Sequence, residues 1–148
     1  MSHLGALRYL RQGSEFMTVE KEIILLKDKF KLQIPNEFVD FMMSDECKSI
    51  HNIPITIEDG EYIIGSFITV DEKMSGGDLY MRYVMCPDEV ADYLAFACGF
   101  DNDEFSIKAK GDHLGEIYHI DNPDEEEIRI RKIFDTFKDF LKYIKEKK

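Results

Sequence analysis

Apolar residues Val19, Ile23, Leu26 and Phe30 recur at helical spacing. Thr18 stands where an N-cap would, Glu20 and Glu22 fall in the first turn, and Lys27, Lys29 and Lys31 load the other end. This pattern predicts a helix over residues 19–31 with one buried face. Pro35 suits the first position of a second helix, with Phe38, Phe41 and Met42 on one face and an end near Ser44. From Ile53 the period changes to two: Ile53, Ile55 and Ile57 alternate with Pro54 and Thr56, and Pro54 suits an edge strand. Asp59-Gly60 signals a turn before a strand at Tyr62-Ile63-Ile64, and a further short strand is expected over Phe67–Val70. Ser75–Asp78 reads as a loop and Tyr80–Met85 as another strand.

Pro87-Asp88-Glu89 can open a helix, whereas Tyr93–Ala97 reads better as a buried strand. Gly99–Glu104 is a turn signal and Phe105–Lys108 a strand pairing back. Gly111-Asp112 turns again, and Gly115–Asp121 is a strand with Ile117 and His119 on one side and Tyr118 and Ile120 on the other. Asn122-Pro123 and the acidic run Asp124–Glu127 read as a loop. Thr136 then caps a closing helix whose stripe is Phe137, Phe140, Leu141 and Ile144. The fold class expected is α+β: a mainly antiparallel sheet of about five to six strands, with two N-terminal helices and one C-terminal helix packed on it. Residues 17–148 form one domain with no internal repeat. Gly13-Ser14-Glu15-Phe16 matches the translation of two adjacent cloning sites, so Met1–Phe16 is expected to be a vector-derived or disordered arm.

Composition adds to this picture mainly through charge. The 148 residues are 44% hydrophobic and 12% aromatic, enough for a packed core and too apolar for a disordered chain. The net charge of −11 opposes nucleic-acid binding, which needs a basic face. Residues 71–127 hold 16 acidic and four basic groups, whereas residues 128–148 hold three acidic and eight basic. The acidity is therefore concentrated on the middle strands and turns, where it either solubilises the surface or complements a basic partner. Cys47, Cys86 and Cys98 are odd in number and lack a CxxC pair. With no visible leader and no membrane-length apolar run, they point to a reducing cytoplasm.

The chain contains no GxSxG, P-loop or GxGxxG motif. Asp101-Asn102-Asp103-Glu104 opens like a calcium loop, but Ser106 occupies the sixth position, where glycine is required. His113 and His119, with Asp112 and Asp121, form a histidine–acid group whose six-residue gap is no recognised zinc spacing, so no metal or cofactor is expected. Cys98 could pair with either histidine as nucleophile and base, but a cysteine ending an apolar strand is more often core. The phenylalanines of the last helix are likewise expected in the core.

Four stretches, in order, resemble the SUKH superfamily, which includes a fungal cell-wall-synthesis regulator and many bacterial immunity proteins. They are Ile34-Pro35 with Phe38 and Phe41; Tyr93–Ala97 with the Asp101-Asn102-Asp103 turn and Phe105–Lys108; Gly115–Asp121; and Phe134–Leu141. Ser44-Asp45-Glu46-Cys47 stands where the family often has Asn-Gly-Gly, and Gly99 comes early in its turn. The resemblance implies a binding protein rather than an enzyme. The expected activity is that of an antitoxin, which neutralises a cognate toxin domain (a nuclease, for example) by stoichiometric, non-covalent occlusion without a cofactor. The partner-binding candidates are Asp88, Glu89, Asp92, Asp101, Asp103 and Glu104. The alternative is a housekeeping regulatory interaction module of the same family with no toxin partner.

Overall fold

The computed structural model describes residues 19–58, 60–68, 79–123 and 127–147. The Thr18 cap, the Met1–Phe16 arm, the Ser75–Asp78 loop, Asp59 of the expected turn, the Val70 end of the expected third strand and most of the acidic run lie outside them. Helix α1 spans Val19–Phe30, α2 Asn36–Met42 and a short α3 Asp45–Ser49. Strands β1 (His51–Ile57) and β2 (Gly60–Phe67) follow, then helix α4 (Leu79–Met85) and a 3-10 turn at Asp88–Val90. Strands β3 (Tyr93–Cys98), β4 (Asp103–Lys108), β5 (Ile117–Asp121) and β6 (Arg129–Phe134) precede the closing helix α5 (Phe137–Glu146). The six strands form one antiparallel sheet in sequence order, as the expected α+β class requires. Among the described residues, no helix is long and apolar enough to cross a membrane.

The core forms where the phenylalanines of four elements meet. Phe38 and Phe41 of α2, Phe67 of β2, Phe96 of β3 and Phe137 and Phe140 of α5 pack mostly edge to face, with centroids 5.1–6.2 Å apart. Each such pair contributes about 0.5–1.5 kcal/mol beyond area burial. The closing helix begins as expected: the Asp139 amide donates to Thr136 Oγ1 at 3.0 Å.

The separate strand expected from Phe67 is not formed among the described residues, where Phe67 is the last residue of β2 and Ile68 lies outside any strand. Three further elements depart from the sequence reading. Tyr80–Met85, expected as a strand, is helical. Leu79, Tyr80 and Tyr83 are buried, and the Phe30 ring of α1 packs on both tyrosines. The fully buried Glu22 of α1 accepts the Tyr80 amide hydrogen bond at 3.3 Å and thereby holds the first turn of α4. Tertiary packing overrides the strand preference of this aromatic, β-branched run. Second, Asp45–Ser49 is helical because Ser44 caps it, accepting the Cys47 amide hydrogen. Third, Arg129–Phe134, which showed no alternation, is edge strand β6 and is mostly exposed.

Strand β2 pairs with β1 along its length but with β3 only at Ser66 and Phe67. The rest of the β1–β2 hairpin leaves the plane and crosses toward β5 and β6. There the Tyr62 ring lies 4.4 Å from that of His119, and its hydroxyl accepts from Arg131 Nη1 at 3.1 Å.

Candidate functional site

Strand β3 separates the six acidic candidates into two groups. Asp88 and Glu89 lie exposed on the 3-10 turn before it, and Asp92 immediately precedes it, 3.7 Å from the Lys108 ammonium. Asp101, Asp103 and Glu104 lie beyond its other end, in and after the β3–β4 turn. Six residues of strand put about 17–20 Å between the groups. They form two small acidic clusters at opposite ends of one strand.

The second cluster is built by its turn. The Gly99 amide donates to the Asp103 carbonyl at 3.0 Å, and Asn102 adopts φ 54°, a left-handed conformation that asparagine tolerates better than most residues. The Asp101 amide donates to Asp103 Oδ1 at 3.0 Å, leaving the Asp101 side chain exposed. The side chains of Asp103 and Glu104 face inward. Asp103 Oδ2 lies 2.6 Å from His119 Nε2, and Glu104 accepts from Arg82 Nη1 of α4 at 2.9 Å. A Cβ at Gly99 would overlap the Asp103 carboxylate and force it to move.

The histidine–acid group of the sequence reading is divided by the fold. His113 is exposed and lies 3.6 Å from Glu116. His119 is buried between the rings of Tyr62 and Phe105, beside Asp103 and, at 3.9 Å, Asp121 Oδ1. Register explains this meeting. Asp103 pairs with Asp121 and Phe105 with His119, so all four side chains share one face of the β4–β5 ladder. The signal was present in the sequence, since a hairpin symmetric about Asp112 brings those positions opposite one another. The Gly111-Asp112 turn signal marks the centre of that hairpin.

Cys98 lies on the other face, because it pairs with Glu104, which in turn pairs with Ile120. Strand alternation therefore points Cys98 and His119 away from each other. Burial pushes the Cys98 thiol above its ordinary range, with Arg82 opposing and Glu104 and Asp103 reinforcing the shift. The Cys47 thiol is pushed up to about 12, mainly by burial. Both thiols are thus held in the protonated, weakly nucleophilic form.

On the Cys98 face, Tyr93 and Tyr118 meet edge to face at 5.0 Å, and the Lys108 ammonium lies 4.6 Å from the Tyr93 centroid. Glu116 accepts from the Tyr118 hydroxyl at 2.8 Å and from the Lys132 ammonium at 3.2 Å. Comparison with family models, curated proteins and solved structures finds no match for this chain.

Proposed function

We propose that this chain is an immunity protein: a cytoplasmic, non-enzymatic antitoxin that binds a basic toxin domain and neutralises it by occlusion. The observation that carries the reading is the disposition of the exposed acids. Asp88, Glu89 and Asp101 project from the two turns that bracket β3, and none of them forms an ion pair with a described basic side chain. Carboxylates held by short, hydrogen-bonded turns and left without a partner are suited to steer and orient a basic surface. Asp92 contributes from beside its lysine. Asp103 acts through the turn it stabilises and Glu104 through its bond to Arg82, because both carboxylates are already engaged within the fold. The resemblance of the four ordered stretches to the SUKH superfamily supports the same assignment.

The test is a viability count. The C-terminal segment of the reading frame directly upstream of this gene is expressed with and without the full chain. Death alone and survival in co-expression are expected. Rescue should fail when Asp88, Glu89 and Asp101 are all reversed to lysine in a variant that retains the native melting temperature. Absence of toxicity, or toxicity without rescue, would overturn the antitoxin reading in favour of a housekeeping interaction module.

A further inference from the structure

We infer that Asp103, His119 and Asp121 form a binding site for a divalent transition-metal ion of the zinc class. Their ligand atoms lie within 4.8 Å of one another, and they come from the two adjacent strands β4 and β5 rather than from a flexible loop. Two carboxylates on one face of the ladder, with His119 Nε2 beside both, make a donor set that favours a cation. Asp103 and Asp121 are direct cross-strand partners on one face, an arrangement of like charges that ordinarily destabilises a sheet. The side chains of Asp103 and His119 are 11% and 6% exposed, whereas that of Asp121 is 40% exposed and opens the group to solvent. Arg129, opposite Asp121 in register, makes no ion pair with it among the described residues.

The donor set selects the ion. One imidazole nitrogen with two carboxylate oxygens suits zinc and its neighbours better than magnesium or calcium, which take oxygen alone. Metal bonds of about 2.0–2.2 Å in a tetrahedral site place ligand atoms about 3.3–3.6 Å apart. The 2.6 Å and 3.9 Å separations from Nε2 to the two carboxylates bracket that value. Binding requires the Asp103–His119 contact to lengthen from 2.6 Å by about 0.7–1.0 Å, with Nε2 giving its lone pair to the metal. The remaining coordination positions are left for water. The rings of Tyr62 and Phe105 pack on the imidazole at 4.4 and 5.1 Å and restrict its rotation.

Equilibrium dialysis of the full chain against zinc at neutral pH, with excess magnesium present, tests this independently of any toxin. One zinc per chain and a zinc-dependent rise in melting temperature are expected. Asp121→Asn, the most exposed ligand position, should retain the fold yet weaken binding at least tenfold and abolish the melting shift. His113→Gln, at the exposed histidine outside the site, should behave as wild type, whereas His119→Gln should lose the metal. If the wild type retains no zinc, or Asp121→Asn retains it equally, the site does not exist and the cluster is a structural histidine–aspartate hydrogen bond.

Discussion

The Tyr143 hydroxyl of α5 accepts the Thr56 amide hydrogen of β1 at 2.8 Å and donates to the carbonyl of the same residue at 3.2 Å. One side chain thus takes both outward-facing backbone groups of an edge-strand residue. Two residues earlier, Pro54 presents no amide hydrogen on that same edge. Lone edge strands pair readily with other chains, and here a helix side chain and a proline together close this one.

Removing the hydroxyl should reopen that edge. Tyr143→Phe should cost about 1–2 kcal/mol in urea denaturation, the range for two partly exposed hydrogen bonds, with an unchanged m-value. Light scattering should show concentration-dependent association absent from the wild type. A variant that stays monomeric at full stability would show that the edge needs no guard.

Gly99 and Asp103 are coupled by space. Gly99→Ala should destabilise by about 1–3 kcal/mol, because the new methyl displaces a carboxylate on which a buried imidazole depends. In an Asp103→Ala background, where the obstacle is gone, the same glycine change should cost far less. A double-mutant cycle reads the coupling, and additive effects would show that the clash is relieved elsewhere.

Glu116 and Tyr118 give stability a defined pH dependence at both extremes. Burial pulls the Glu116 carboxyl upward, but hydrogen bonds from Tyr118 and Lys132 outweigh it and hold the group below its ordinary value of 4.5. Its contribution is therefore fully present above about pH 4.5 and is lost as pH falls through the folded value. Tyr118 behaves oppositely: burial, then its bond to Glu116, raises the phenol from 10.0 to about 12. Its contribution is complete below pH 10 and is lost as pH rises toward 12. Glu116→Gln should flatten the acid limb of the stability profile and Tyr118→Phe the alkaline limb. Phenolate absorbance should show a late-ionising tyrosine that Tyr118→Phe removes.

Thiol chemistry separates a binding protein from a cysteine enzyme. At pH 8, iodoacetamide should modify Cys98 slowly and leave Cys47 untouched until the chain is unfolded, since burial raises both thiols. Rapid, selective alkylation of Cys98 in the native protein would contradict this account.

The elements most legible in the sequence were those whose buried residues follow a simple period. Val19, Ile23 and Leu26 mark α1; Phe137, Phe140 and Ile144 mark α5; Ile53 and Ile55 mark β1. The Tyr93–Ala97 strand was read correctly from an apolar run, since Leu94, Ala95, Phe96 and Ala97 are all buried. Helix α4 is not legible locally because Tyr80, Tyr83 and Val84 favour strands, and its helical state depends on Phe30 and Glu22, 50 or more residues before Tyr80 in sequence. Strand β6 went unseen because Arg129, Ile130, Arg131 and Lys132 are all exposed, so burial writes no period there. The acidic candidates were legible as charges, but not their directions. Whether Asp103 faced a partner or His119 depended on pairing between β4 and β5. Tyr62 could be placed over His119 only once the β1–β2 hairpin was known to leave β3 after two pairs.

That early departure also orders the folding reaction. Strands β3 to β6 are joined by short connections, so their contacts close small loops and form at little entropic cost. The Thr56–Tyr143 bond spans 87 residues and the Tyr62–Arg131 bond 69. Those closures are expected to follow assembly of the meander and docking of α5. Tyr143→Phe should accordingly accelerate unfolding while leaving the refolding rate nearly unchanged. In native hydrogen exchange, the β1–β2 hairpin should open before the four-strand meander, as a separate cooperative unit hinged at Ser66 and Phe67.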